Sequence, residues 1–349
     1  MIKLLNRWHL VGFMGLLLCV LFFISYVMKS NKPKTIKFFA SHGPVEVITK
    51  PLEIFKNEVE SRTEGRIKVE LIVSEEAQNH NLRIEKKVLQ DVQANVYQMS
   101  QLYSKSLVQF EKDFSVLEVP YLFKDHEHSF ATVDGEVGKD LLAKLENNSN
   151  LKGLGYTYSG GYRFISTKSK MIRKMEDFVG LKIATGTEAS TKILKKLGVV
   201  PQENIDKLEI RNRVGKDSVD GMVTVYPRYF YNNDYKIAPI ANELFFNIQF
   251  TVLTINKDFF NSISKEDQKV IVDSAQRISV MERKIAIEIA EDVNKNSKEH
   301  GITIVKMDPQ ESKKMIEKLT RIDWTKELNI SPGLIDKIKS ISTLKITNL

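Results

Sequence analysis

Residues 161–198 read GYRFISTKSKMIRKMEDFVGLKIATGTEASTKILKKLG. The stretch opens on a strand that carries Arg163 and continues to a second short strand, LKIAT at 181–185. A helix from Thr187 to Leu197 follows, with apolar residues at helical spacing. Strand, turn and helix start in this order form half of a βαβ unit. In many α/β proteins such a junction receives an anion, because the first helical N–H groups are free and the helix dipole favours negative charge there. Yet no Arg or Lys follows Ile183; the residue is Ala184. Thr185 is expected to cap the helix, with Glu188 answering as the third residue of a capping box. That carboxylate would occupy the positive helix end itself. The junction therefore reads as a ligand-facing strand end whose charge has been removed.

Upstream, TIKFFAS (35–41) reads as a buried strand, and Ile48, Leu52, Phe55 and Val59 mark a helix over 45–61. RIKVELIV (66–73) alternates like a strand, a helix runs from Leu82 to Val92, and VYQMSQ (96–101) is a third strand. This β-α-β-α-β order implies a mostly parallel sheet. FSVLEVPYLF (114–123) is apolar, and a helix with Phe130, Val133 and Val137 follows. LKGLGYTYSGGYRFISTKS (151–169) reads as strand, Gly-Gly turn, strand.

Downstream, SVDGMVTV (218–225) belongs to a second α/β unit, and FFNIQFTVLTIN (245–256) returns the chain to the first. One long helix is expected from Ser264, its cap, to about Glu299, with Asp267 at the third position. A helix of that length either braces two lobes or pairs as a coiled coil, and because its apolar period is not a clean heptad the brace is expected. The expected fold is α/β, two-lobed and periplasmic-binding-protein-like, with crossing hinge strands and a long bracing helix. Residues 35–155 with part of 245–310 form the first lobe and 156–245 the second. The brace covers 262–300, and peripheral helices cover 309–349.

The chain has 349 residues and a formal charge of +8, but its basic residues lie scattered in pairs such as Lys86-Lys87 and Lys313-Lys314. No arginine stripe or zinc-finger spacing is present, which argues against nucleic acid as a partner. Residues 10–28, LVGFMGLLLCVLFFISYVM, carry no formal charge and follow Lys3 and Arg7. They are long enough to span a bilayer. With residues 1–30, they read as an uncleaved inner-membrane anchor or an unusual cleaved signal. Both readings imply export to the periplasm. The single cysteine, Cys19, lies inside this segment, so the folded part has no thiol chemistry.

No GxGxxG, Walker loop, HExxH or GxSxG occurs, and no paired acid–base residues suggest an enzyme. Asp125-His126-Glu127-His128 places two histidines at i and i+2, which diverge on a helix, so the segment reads as a helix start rather than a metal site. No cofactor is expected. Tyr226, Tyr229, Phe230, Tyr231 and Tyr235 surround Arg228 after a Val-Asp-Gly turn. They are either ordinary packing or rings on which a ligand stacks. Arg163 emerges from a strand between aromatics and requires an anion, either a ligand carboxylate or an internal Glu.

The order of FKNEVESRTEGRIKVELIV (55–73), FSVLEVPYLFKDHEHSF (114–130), the 161–198 stretch and VDG (219–221) resembles one family. It is that of the periplasmic substrate-binding subunits of tripartite ATP-independent periplasmic (TRAP) transporters, the DctP type. The resemblance covers roughly residues 35–330. It implies two hinged α/β lobes that trap a small organic acid and deliver it to the membrane subunits of a TRAP permease, without catalysis.

Members of that family hold the ligand carboxylate with an Arg directly after the GLKI-type strand, where this chain has Ala184. A second family Arg matches Arg163. The Gln-Glu-Asn after V-D-G becomes Met222, Val223 and Thr224, with Tyr226 close behind. The preceding helix keeps Glu209, but the usual Tyr is Arg211. The first-lobe Gln-Leu-Gly is not recognisable in SEEAQNH (74–80). These eight residues, Arg163, Ala184, Glu209, Arg211, Met222, Val223, Thr224 and Tyr226, are the expected ligand contacts. The altered set implies a ligand less polar than a simple dicarboxylate, with Arg163 or Arg211 inheriting the anion. The competing reading is a membrane-anchored ligand sensor or protein-interaction module on the same fold.

Overall fold

The computed structural model describes residues 32–40, 46–74, 81–203, 205–216 and 218–342. The apolar segment 10–28 and most of SEEAQNH lie outside them.

Two sheets organise the chain. In the first, strands β1 (Lys34–Ala40), β2 (Ile67–Val73) and β3 (Met99–Tyr103) are parallel. They are joined by antiparallel β10 (Ile248–Asn256) and then β4 (Leu151–Tyr162), in the order β2-β1-β3-β10-β4. The second sheet contains β5 (Phe164–Thr167), β6 (Lys182–Ala184), β7 (Val200–Gln202), β8 (Gly221–Thr224), β9 (Ile240–Asn242) and β11 (Thr303–Val305). Its order is β11-β9-β5-β8-β6-β7. The helix Glu46–Arg62 covers the first sheet because Ile48, Leu52, Phe55 and Val59 share one face, and all four are buried. Phe55 meets Phe38 of β1 edge-to-face at 5.9 Å.

The chain passes between the sheets through two short segments, 162–164 and 243–247, and a third time through the long helix that leads from β10 to β11. The Gly160-Gly161 pair is not a hairpin turn. β4 runs straight through it to Tyr162 in the first sheet, and β5 starts in the other sheet at Phe164. The glycines are needed for close approach. A Cβ on Gly160 would lie 2.1 Å from Val225 Cγ2, and Gly161 has φ +76°. The first lobe therefore extends to Tyr162 rather than to 155. Of 245–310, β10 lies in the first sheet, whereas β11 pairs with β9 in the second.

The long helix Lys265–Lys295 starts where expected, with Ser264 Oγ accepting from the Asp267 N–H at 3.0 Å. It packs on β4 and on the helix Glu46–Arg62 in the first lobe. Arg283 donates to both Asp134 oxygens, at 2.6 and 2.7 Å, and to the Tyr156 carbonyl. At its far end Val293 joins Phe164, Tyr226, Tyr229 and Ile302 in a second-lobe core. Asn294 donates to Glu243 at 2.6 Å. One helix thus contacts both lobes.

Candidate functional site

A cavity of about 90 Å³ lies between the two sheets, where strand ends from both lobes meet. The first lobe contributes Tyr103 at the end of β3, Lys105 just past it, and Gln249 of β10. Arg163 lies on the crossing segment itself. The second lobe contributes Ala184 to Thr187, Met222 to Val225, Arg211, Arg228 and Asp234, with Ile205, Lys207 and Ile210 beside them. The lobes touch across it: Lys105 Nζ donates to the Gly186 carbonyl at 2.8 Å, and the Arg228 guanidinium lies 5.6 Å from the Tyr103 ring centre.

Six of the eight expected contacts line this cavity: Arg163, Ala184, Arg211, Met222, Val223 and Thr224. Glu209 does not. Its side chain is exposed on the helix Lys207–Arg213 and pairs with Arg213 one turn on. Tyr226 does not either. It stacks against Phe164 at 4.5 Å and donates its hydroxyl to Glu243 at 2.6 Å, on a separate cavity behind the crossing segments. That second cavity is lined by His126, Tyr158, Tyr162 and Phe245 among others. Its buried acid, Glu243, already accepts from Tyr226 and Asn294. His126 bonds the Tyr158 hydroxyl at 2.6 Å, and burial pushes its pKa down. His128 bonds the Ile338 carbonyl at 3.0 Å, so the two histidines diverge.

The junction at 184–190 differs from its sequence reading in one respect. Thr187, not Thr185, caps the helix Glu188–Leu197, accepting from the Ser190 N–H at 3.0 Å. Thr185 bonds Thr191 instead, and Glu188 pairs with Lys192 at 2.7 Å. A second TGT/TEAS register shifted by two residues satisfies the same cap rule, which is why spacing alone did not distinguish them. Ala184 packs with Val214, Val219, Met222 and Ala238 in a small apolar cluster.

The charges around the cavity are not equivalent. Arg163 is buried and each of its nitrogens has a partner: Nη2 to Glu118 at 2.8 Å, Nη1 to Asn247 at 3.2 Å and Nε to Gln249 at 3.3 Å. Its anion is thus an internal Glu. Arg211 Nε donates to Asp234 at 2.8 Å. Burial pushes the Asp234 carboxyl up, against the pull of Arg211 and then Arg228. Arg228 is 6% exposed, and its Nε and Nη2 are buried without a hydrogen-bond partner. Burial also pushes the Tyr103 hydroxyl up to about 12, so it is neutral at physiological pH. Arg228 was visible in the sequence as the lone cation in VYPRYFY. Pro227 opens the helix Tyr226–Tyr231, which sets Arg228 in its first turn, next to the end of β8.

The sequence profile of the DctP family, bacterial extracellular solute-binding protein family 7, matches residues 39–326. The chain belongs to this family. Among curated DctP-like relatives, a solute-binding protein of Verminephrobacter eiseniae is 30% identical over 134 residues, 38% of this chain and 38% of that protein. The C4-dicarboxylate-binding periplasmic protein DctP of Rhodobacter capsulatus is 32% identical over 179 residues, 49% of this chain and 50% of that protein. The chain thus spans half or less of the length of these curated relatives. A TRAP periplasmic solute-binding protein from Pseudomonas putida F1, solved with D-glucuronate, superposes with a TM-score of 0.78. The superposition covers 89% of this chain and 99% of that one at 21% identity, and it shows the shared two-lobed fold. In this cleft Ala184 sits in an apolar cluster, and Arg228 carries two buried nitrogens without a hydrogen-bond partner.

Proposed function

We propose that this chain binds one small organic acid in the interlobe cleft, outside the cytoplasm, and presents it to a TRAP-type permease. The observation that carries the reading is the electrostatic imbalance of the cleft. Arg211 and Arg228 face a single carboxylate, Asp234, which Arg211 already engages. Two guanidinium groups sharing one carboxylate, one of them buried with two nitrogens unpartnered, leave positive charge uncompensated at a cost on the order of several kcal/mol, so the site favours an anionic occupant. The relatives support the class: one carries a C4-dicarboxylate-binding name and a structural neighbour holds a glucuronate.

The cleft geometry supports a binding role without bond chemistry. Its titratable groups are cations, one paired carboxylate and a tyrosine held neutral by burial. Opening and closing of the lobes about 162–164 and 243–247 is the working motion. Residues 10–28 tether the lobes to the inner membrane, with the permease as neighbour. Mass spectrometry of small molecules released on denaturing the purified protein tests the reading. An organic acid at stoichiometric yield, or one that rebinds the emptied protein, is expected. Absence of any bound or rebinding acid contradicts it.

A further inference from the structure

We infer that Arg228 is the carboxylate clamp of this cleft, and that the site takes a small monocarboxylate with an apolar body. The inference rests on the proposed binding of an organic acid and specifies how this chain achieves it. Three observations carry it.

The first is which cations are free. Arg163 is held by Glu118, Asn247 and Gln249. Arg211 engages Asp234, and Lys105 engages Gly186 and lies 3.5 Å from Glu85. Arg228 alone combines near-complete burial with unsatisfied nitrogens, and it faces the cavity. Its contact with the Tyr103 ring supplies partial charge stabilisation and fixes the guanidinium plane without occupying a donor. A carboxylate accepts from such a guanidinium in a bidentate manner. Lys207, half-buried at the rim, keeps its hydration and does not need a second anion.

The second is the share of carbon in the lining. Ala184, Ile205, Ile210, Met222, Val223 and Val225 line the cavity together with the hydroxyl residues Thr185, Thr187, Ser190 and Thr224, so against those carbons a ligand meets no cation. A second carboxylate placed there would lose its water without gaining a partner. The third is size. At roughly 10–15 Å³ of such volume per water, a cavity of about 90 Å³ holds a few small groups. A short branched acid fits that better than a hexuronate.

The test uses the purified protein, isothermal titration calorimetry and four probes: isovalerate, its neutral amide isovaleramide, succinate and D-glucuronate. The wild type is expected to bind isovalerate more tightly than succinate or D-glucuronate, and at least ~30-fold more tightly than isovaleramide. Arg228→Gln is expected to lose at least ~30-fold in isovalerate affinity with isovaleramide unchanged. Its ligand-free Tm should equal or exceed that of the wild type, because an unpaired buried charge has been removed. Arg228→Met, which keeps the apolar stem, gives the same two readouts if Gln does not fold. Tighter binding of D-glucuronate or succinate, or isovalerate affinity unaffected in both variants, overturns the inference and leaves solute binding intact. A lower ligand-free Tm with unchanged affinity marks Arg228 as structural and also overturns it. Failure of the wild type to bind any of the three acids removes the organic-acid reading itself.

Discussion

At the scale of single residues, the pattern of paired and unpaired charge separates scaffold from site. Arg163 matches a family arginine, and sequence alone left open whether its anion was a ligand or an internal Glu. The Glu118 contact was not legible, because the two residues are far apart in the chain and meet only once the lobes have formed. Glu118→Ala leaves Arg163 buried and uncompensated, so a loss of roughly 3–5 kcal/mol in chemical denaturation is expected. By resemblance Ala184 stands where the family carries an Arg, and the structure sets it in an apolar cluster. Ala184→Arg would force a guanidinium among Val214, Val219, Met222 and Ala238. We expect a clear fall in Tm for this variant, corresponding to at least ~2 kcal/mol; an unchanged Tm would show that the cluster yields readily. Arg228 was quoted in the sequence but lost among its aromatic neighbours. Nothing local reveals that a side chain lacks a partner, since that depends on every element folded around it.

At the scale of elements, periodicity and cap chemistry predicted most of what formed. The expected strands at 35–41, 66–73 and 181–185 formed within a residue of their expected ends, and the long helix starts at its expected cap Ser264 but stops at Lys295 rather than near Glu299. The reading failed at Gly160-Gly161, where two glycines signal a turn locally but serve a close crossing instead. Gly160→Ala places a methyl against Val225, and a loss of about 1–3 kcal/mol is expected. Adding Val225→Ala should recover much of that loss, a coupling measurable by a double-mutant cycle. The long helix carries a further device. Burial pushes the Glu282 carboxyl up to about 8, partly offset by the Gln101 amide, which donates to both of its oxygens at 2.8 and 2.9 Å. The folded protein therefore keeps a proton that the unfolded chain, with its ordinary carboxylate pKa near 4.5, has released. Stability attributable to this group falls as pH rises from about 4.5 to about 8 and is flat below that window. Glu282→Gln should show little Tm advantage at pH 4.5 and a growing one up to pH 8. A pH-independent difference would place the proton elsewhere.

At the scale of the whole molecule, the two-lobed architecture was legible from the order of its pieces, because a chain that leaves one sheet and returns must cross twice. The cleft's chemistry was less legible. Family positions predicted where contacts gather, and six of eight named residues line the cavity, but they did not predict which cation is available. That property belongs to the assembled charge network: Glu118 holds Arg163, Asp234 holds Arg211, and Arg228 is left over. The most direct test of this account is a crystal structure of the protein with its bound acid. The account predicts carboxylate oxygens about 3 Å from Arg228 nitrogens, with the rest of the ligand against Ala184, Met222 and Val223. A carboxylate seated instead on Arg163 or Arg211, with Arg228 turned away from the ligand, would contradict it.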